Sequence, residues 1–217
     1  MGQMAQKISK VDHDELLKAL NEALSEEWLA YYQYWVGALV AKGPMRTSIV
    51  AEFMEHANEE YDHANKLGKR IIELGGTPVL DPKQWENLAR CKYDAPSNDW
   101  VMELVKQNLV AERCAIARYQ QICEMTFGKD YETFKVSAKI LKEEIEHEQE
   151  LQFQRSSFIP KCEDLLANYW TWDTSTKNRF LRELIEKAVY TKNAKNTWKN
   201  GDDISFTLDI YPKIQQK

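Results

Sequence analysis

Apolar residues recur every three to four positions through four long stretches of the chain, a spacing that predicts four amphipathic helices. The stretches cover about residues 12–42, 45–74, 97–128 and 131–153. Gly43-Pro44 interrupts the first pair of stretches and Gly128 the second, as glycine and proline do at helix ends. Residues 77–97 contain three prolines and a short helical stretch at about 83–89, which predicts a long crossover. We therefore expect an all-α fold, a four-helix bundle with a long crossover between its second and third helices.

Six polar residues interrupt the apolar faces of these helices. They are Glu27, Glu60, His63, Glu112, Glu144 and His147. In the second and fourth helices, the glutamate and histidine of a Glu-x-x-His pair project from one face and offer a carboxylate and an imidazole to one point. One such pair has little weight in a chain rich in glutamate, where solvated glutamates and buried core histidines are the simpler explanation. The arrangement of all six residues is more informative.

The spacing of the four glutamates predicts that they meet at one level of the bundle. Glu27 and Glu60 are 33 residues apart, and Glu112 and Glu144 are 32 residues apart. The middle of each interval falls at one of the two predicted turns. Helices folded back at a turn both rise about 1.5 Å per residue, so residues equally far from the turn lie at the same height. Each helix pair should therefore bring one glutamate and one Glu-x-x-His pair to mid-height.

Four buried carboxylates of like charge predict a site for two divalent cations. Such carboxylates repel one another and lose their hydration, and two cations would neutralise them. Carboxylate oxygens with one imidazole per ion suit iron or manganese better than zinc. We expect Glu27 and Glu112 to bind one ion each. Glu60 and Glu144 should bridge the two ions, and each histidine should bind one of them.

A paired iron site with open coordination positions favours redox chemistry. Dioxygen or peroxide could bind between the ions, and each Fe(II) would supply one electron. The protein would contribute the geometry of the site and a dry cavity around it.

Composition and charge limit the classes of partner. The net charge of −5 argues against nucleic-acid binding by the whole molecule and suits a protein that attracts cations. No run of about 18 apolar residues predicts a membrane span, and the first residues lack an apolar signal core, so we expect a cytoplasmic protein. The four cysteines form no CxxC motif, and buried thiols are their simplest interpretation.

The chain resembles the bacterioferritin and Dps-like branch of the ferritin superfamily over about residues 12–155. The first helix is similar at Leu20-Asn21, Glu27, Ala30, Gln33 and Tyr34, the second at Glu60-x-x-His63-Ala64 and Ile72 to Pro78, and the fourth at Glu144-x-x-His147. The resemblance implies ferroxidase chemistry at a di-iron centre and a hollow cage that stores iron. Haem-binding members place a methionine directly after the second-helix glutamate, where this chain has Tyr61, so we expect no haem.

Two cysteines and Tyr34 extend the resemblance, and His56 is a further candidate because of its position. Cys91 and Cys114 are similar to the cysteine pair of Dps-like thioferritins, which implies a twelve-subunit shell and peroxide as the oxidant. A disulfide between them and two buried thiols remain alternatives. Tyr34 is either an electron donor to the oxidised site, as in bacterioferritin, or a core aromatic. His56, one turn before Glu60, is either an outer partner of the site or a plain surface or core histidine.

The last part of the chain exceeds what the resemblance requires. We expect residues 1–156 to form the ferritin-like domain and residues 157–217 a C-terminal extension that follows the end of the bundle at about Pro160. Asp173 is placed to cap a short helix that reaches about residue 190, and residues 204–211 alternate like a small strand. Lysines make the extension locally basic, at Lys187, Lys192, Lys195 and Lys199. A solvated face or a subunit contact explains them more simply than DNA contact does.

Three functions fit this pattern. The first is a ferroxidase that stores and detoxifies iron in a cage. The second is a soluble di-iron oxygenase that acts on an organic substrate, because the run from Glu112 to Tyr119 is faintly similar to aldehyde-deformylating oxygenases. The third is a structural shell protein whose metal ions only hold the bundle together.

Overall fold

The computed structural model describes residues 4–43, 45–192 and 206–212. Its elements in chain order are α1 Met4–Ile8, α2 His13–Val40, α3 Arg46–Glu73, a 3-10 turn at Pro82–Gln84, α4 Trp85–Leu88, α5 Val101–Thr126, α6 Tyr131–Asn168, α7 Thr174–Leu184, β1 Ile185–Lys192 and β2 Phe206–Pro212. Helix α2 packs along α3, and α5 packs along α6. The crossover between α3 and α5 carries the short α4. The predicted four-helix bundle with a long crossover is confirmed.

Helix starts follow local capping and contacts with neighbouring segments. Asp12 caps α2 by accepting a hydrogen bond from the Glu15 amide at 2.9 Å, as its position predicts. Helix α5 begins at Val101, a few residues later than expected. The Lys42 amide donates to the Asp99 carbonyl at 2.7 Å, and the Val101 amide donates to the Lys42 carbonyl at 2.8 Å. These bonds hold the end of the crossover in an extended conformation against the end of α2.

The end of the fourth helix and the short helix after it differ from expectation. The prediction that the fourth helix ends at about residue 153 is wrong, because α6 continues through Pro160 to Asn168. A proline removes one backbone hydrogen bond from a helix but does not prevent the flanking turns from forming. The short helix capped by Asp173 ends at Leu184, and the following residues form β1 instead. Half of the residues in that segment favour strands over helices, namely Ile185, Val189, Tyr190 and Thr191.

The C-terminal strands form a two-stranded antiparallel sheet. Strand β1 pairs with β2, with Val189 opposite Asp209. The predicted strand at 204–211 is found from Phe206 onward, and Ile204 lies outside the described residues, as do Pro44, Lys195 and Lys199. Within the described residues, no helix is both long enough and apolar enough to cross a membrane.

The bundle core consists of two apolar clusters with a polar layer between them. The first cluster includes Tyr34, Ala38, Ile49, Phe53, Val105, Leu109 and Leu151. The second includes Leu16, Leu20, Leu67, Ile71, Tyr119, Ile122 and Ile140. On each of the four long helices, the predicted metal-site residues lie between the segments that enter these two clusters. Apolar packing above and below therefore fixes the height of the polar layer.

The crossover is fastened to the bundle beside this layer. The Glu26 carboxylate accepts hydrogen bonds from the backbone amides of Arg90 at 2.7 Å and Cys91 at 3.3 Å. The Arg118 guanidinium of α5 donates to both oxygens of the same carboxylate, at 2.9 and 2.8 Å. A disulfide joins Cys91 to Cys114, with 5.8 Å between their Cα atoms. The crossover residues 91–93 are thus held close to α2 and α5.

Candidate metal centre

All six polar residues of the sequence analysis meet in the middle of the bundle. On one side of the group, the Nδ1 atom of His63 lies 3.3 Å from Glu27 Oε2, 3.1 Å from Glu60 Oε2 and 3.0 Å from Glu144 Oε1. These four residues come from α2, α3 and α6, and their donor atoms lie within 4.8 Å of one another. One nitrogen and three carboxylates therefore surround one point.

A second group of the same composition lies next to the first. The Nδ1 atom of His147 lies 3.6 Å from Glu60 Oε1, 3.7 Å from Glu112 Oε2 and 3.7 Å from Glu144 Oε2. Glu60 and Glu144 belong to both groups, whereas Glu112 belongs only to this one and Glu27 only to the first. The height argument from the sequence thus gives the right neighbours.

Burial and neighbouring charges shift the pKa of each site glutamate in the metal-free group. The six side chains are at most 3% exposed. Burial, together with the nearby charge of Glu60 or Glu144, raises the pKa of Glu27 and Glu112 well above the usual range. Burial also acts to raise the pKa of Glu60 and Glu144, but the nearby histidines outweigh it and lower the pKa.

The surrounding carboxylates have the opposite effect on the two imidazoles. Burial acts to lower the pKa of His63 and His147, but these carboxylates raise the pKa far above the usual value. The directions of the shifts favour ionised Glu60 and Glu144 beside two imidazolium rings, with Glu27 and Glu112 protonated. In that arrangement, protons balance the charge of the group when no metal ion is bound.

Several buried donor atoms of the group have no hydrogen-bond partner. They are Glu27 Oε2, Glu112 Oε2, both carboxylate oxygens of Glu144, and His147 Nδ1. A buried polar atom without a partner costs about 1–3 kcal/mol, and several at one point require an explanation. The residues fit a pair of cations, because these are the atoms that face the shared point of each group.

Two carboxylates outside the six contact the Nε2 atoms of the two site histidines. The Nε2 atom of His63 lies 3.0 Å from Glu143 Oε2, and the Nε2 atom of His147 contacts the Glu59 carboxylate. Each glutamate comes from the helix opposite the histidine it contacts. Neither glutamate was expected at the site from the sequence, although the repeated Glu-Glu-x-x-His pattern at 59–63 and 143–147 contains both.

Two buried tyrosines also contact site residues on the opposite helix. The Tyr34 hydroxyl donates to Glu112, and the Tyr119 hydroxyl donates to Glu27. Each tyrosine follows a site glutamate of its own helix by seven residues and contacts the glutamate of the other helix. No role at the metal centre was expected for Tyr119 from the sequence. Its equal spacing from Glu112 was the available signal.

A small cavity connects the group with the crossover. Its volume is about 30 Å3, and it is lined by four site glutamates, by residues of α2 and α5, and by Cys91, Lys92 and Tyr93. This volume corresponds to about one water molecule. The disulfide to Cys114 therefore fastens the segment that covers the cavity.

A four-helix bundle that brings four carboxylates and two imidazoles to one level defines a ferritin-like carboxylate protein. The chain belongs to the ferritin family, whose ferritin-like domain matches residues 17–157. A solved structure of the dodecameric thioferritin, the bacterioferritin-related protein from Bacteroides fragilis, is 53% identical, with a TM-score of 0.74. The alignment covers 76% of this chain and 99% of that chain.

One further relative supports the same family, and a second shares the fold. The DNA protection during starvation protein of Pyrococcus furiosus is 38% identical over 141 residues, which cover 64% of this chain and 75% of that protein. A ferritin-like diiron-carboxylate protein from Bacillus anthracis is 24% identical, with a TM-score of 0.58 over 66% of this chain and 96% of that chain, and shows the fold alone. The expected kinship with bacterioferritin-related, Dps-like proteins is confirmed.

Proposed function

We propose that the protein is a ferroxidase that oxidises Fe(II) at a dinuclear centre and stores the product in a cage. The observation that supports this best is the pair of four-residue groups with two shared carboxylates. Two Fe(II) ions give up one electron each. Hydrogen peroxide and two protons become two water molecules, or dioxygen and two protons become one hydrogen peroxide.

The proposed metal roles follow from the shared and unshared residues. Glu60 and Glu144 would each contact both ions, because each belongs to both groups. Glu27 and Glu112 would each hold one ion, since each belongs to one of the two dinuclear groups. Two divalent cations would replace the protons that balance the metal-free group, so we expect metal affinity to rise with pH.

The outer glutamates prepare the histidines for this role. A histidine binds a metal through one ring nitrogen only when the other nitrogen carries the proton. With a metal ion bound, Glu143 would accept a hydrogen bond from Nε2 of His63, which would leave Nδ1 to bind the iron. Glu59 would do the same for His147. Such outer contacts orient the ring and increase its basicity.

The size of the cavity favours iron and a small oxidant over an organic substrate. Pockets for organic ligands usually exceed about 300 Å3. The cavity beside the glutamates holds about 30 Å3. A larger surface groove of about 570 Å3 is lined by none of the six site residues. Neither of these two cavities offers the oxygenase alternative a substrate chamber at the centre.

The assembly is also part of the proposal. The Bacteroides fragilis relative is described as dodecameric. Twelve copies of this 25.4 kDa chain would form a particle of about 305 kDa. Light scattering after size-exclusion chromatography should give that mass, and a monomer or dimer would contradict the cage. Consumption of peroxide together with Fe(II) would protect a cell against oxidative damage.

The decisive experiment replaces one shared carboxylate. We expect Glu60→Ala to reduce the initial rate of ferric absorbance, after addition of Fe(II) and peroxide, by more than about 100-fold, since losing outer contacts alone costs 10–100-fold. Assembly should remain intact. Glu55→Ala, an exposed glutamate on the same helix, is the control and should oxidise iron at the original rate. Oxidation by Glu60→Ala at the original rate would contradict the ligand assignment.

A further inference from the structure

His56 is a buried histidine that the proposed dinuclear chemistry does not use. Its side chain is 1% exposed. Its ring stacks on His147, with 4.1 Å between the ring centroids, and packs edge-on against Tyr34. A ring nitrogen of His56 lies within 4.8 Å of donor atoms of Glu112 and His147. The residue is thus a direct neighbour of the metal centre.

Two glutamates bring further donor atoms to the same ring. The His56 Nε2 atom lies 3.1 Å from Glu150 Oε2. Glu52, one turn before His56 on α3, is held by a 2.7 Å hydrogen bond from Gln154 to its Oε2 atom. Glu52, His56 and Glu150 place one donor atom each within 4.8 Å of one another. Two carboxylates and one imidazole are a donor set for a hard divalent cation.

Unpartnered buried atoms distinguish this group from an ordinary surface ion pair. Glu52 Oε1 and His56 Nδ1 are buried and have no hydrogen-bond partner. His56 is almost fully buried, and Glu150 is 60% exposed. The group therefore extends from the centre of the bundle to solvent, with unused donor atoms at its buried end.

We propose that Glu52, His56 and Glu150 form a third metal site, which takes iron or a similar hard divalent cation next to the dinuclear centre. The proposed function supplies the identity of the metal, but the site itself depends only on these three residues.

The third site and the small cavity lie on opposite faces of the bundle. Helix α2 packs against α3 and α5, and α6 packs against the same two helices, so the α2/α5 face and the α3/α6 face are on opposite sides of the bundle. The small cavity opens between α2, α5 and the crossover. The third site lies on α3 and α6. An ion at this site would stand between the dinuclear centre and solvent on the side away from the cavity.

The other hairpin has no equivalent site. The positions that correspond to Glu52 and His56, eight and four residues before the site glutamate, are Val136 and Ile140 on α6. Lys66 on α3 corresponds to Glu150, three residues after the site histidine. Two apolar side chains and a cation cannot hold a metal ion. The donor set is therefore a specific feature of one side of the centre and does not follow from the internal repeat.

The test is a crystal of the full-length protein soaked in ferrous salt without oxygen and measured on both sides of the iron absorption edge. We expect three anomalous peaks in each subunit. Two should lie among the six central residues and the third should contact Glu52, His56 and Glu150. Peaks at the centre alone would overturn the third site. Absence of the central peaks would instead contradict the proposed function.

A double variant and a matched control complete the test. Glu52→Gln/Glu150→Gln keeps the size of both side chains and should lose the third peak while the central pair remains. Glu55→Gln/Glu146→Gln removes the same charge from exposed positions of the same two helices and should retain all three peaks. In solution, anaerobic Fe(II) binding should fall from three ions to two per subunit in the first variant only. A third peak that survives Glu52→Gln/Glu150→Gln would overturn the assignment.

Discussion

The two helix hairpins of the bundle, α2 with α3 and α5 with α6, provide the metal centre with matching residues but surround it differently. Each hairpin supplies a lone glutamate, a tyrosine seven residues later and a Glu-Glu-x-x-His segment. The contacts cross between hairpins, since each tyrosine and each outer glutamate contacts a residue of the other one. Outside this shared set, the α3 side has Glu52 and His56 where the α6 side has Val136 and Ile140.

This difference separates two tasks. The matched residues are those that we propose to hold the two ions of the dinuclear centre. The unmatched residues make the two sides of that centre unequal, because only the α3/α6 side has the donor set proposed for a third ion. Four predictions test the matched set and the sides that surround it.

The largest effect should come from the shared carboxylates. Glu144→Ala should reduce the initial rate of Fe(II) oxidation by more than about 100-fold, as Glu60→Ala does, because each removes a carboxylate common to both ions. Stopped-flow absorbance of both variants would measure this. Losses that differ by more than about tenfold, a free-energy difference of about 1.4 kcal/mol, would show that the hairpins are not equivalent at the bridge.

The outer glutamates should have a smaller and slightly unequal effect. Glu59→Gln and Glu143→Gln should each weaken metal binding by about 10–100-fold, because the histidine loses the contact that orients it. Glu143 is 25% exposed and Glu59 is 46% exposed, so the Glu143 variant should lose more. Calorimetric titration with Mn(II) would compare them. Unchanged affinity in both variants would remove the outer glutamates from the site.

Variants of the two tyrosines should distinguish a role in metal binding from a role in electron transfer. Tyr34→Phe and Tyr119→Phe each remove a hydrogen bond to a buried glutamate, and both should weaken metal binding by about tenfold. If Tyr34 also donates an electron, a tyrosyl radical signal should appear in electron paramagnetic resonance after oxidation. Tyr34→Phe should abolish this signal and Tyr119→Phe should retain it. Loss of the signal in Tyr119→Phe alone would assign the donor to the other hairpin.

The smallest effect should come from Lys66, which occupies the position equivalent to Glu150. Its ammonium group lies 3.0 Å from Glu143, and both side chains are partly exposed, at 29% and 25%. Lys66→Ala should therefore lower the free energy of unfolding by only about 0.5 kcal/mol. Urea denaturation of the metal-free protein would measure it. A loss above about 2 kcal/mol would mean that Lys66 holds Glu143 in place.

Much of the bundle could be predicted from the sequence, because the features that define it depend on residues close together in the chain. The apolar residues at every third or fourth position determine which face of each helix is apolar, and the turns at Gly43 and Gly128 determine which residues lie at the same height. These two facts were enough to bring together the six central residues. They could not give the end of α6 or the start of β1, because proline and mixed propensities leave both outcomes open at the sequence level.

Contacts between helices required the structure. The hydrogen bonds from Tyr119 to Glu27 and from His63 to Glu143 depend on how far each helix is rotated about its axis, a quantity that spacing within one helix does not determine. The disulfide between Cys91 and Cys114 depends on the path of the crossover, which runs without a regular period.

The sequence by itself determined that four helices place four glutamates and two histidines at one level, because helical rise and turn position are properties of the local chain. Only the tertiary structure decided which outer side chains contact the residues at that level. It also decided that Glu52, His56 and Glu150 meet on one side of the centre, because their meeting depends on the packing of α3 against α6 and not on a repeat within either helix.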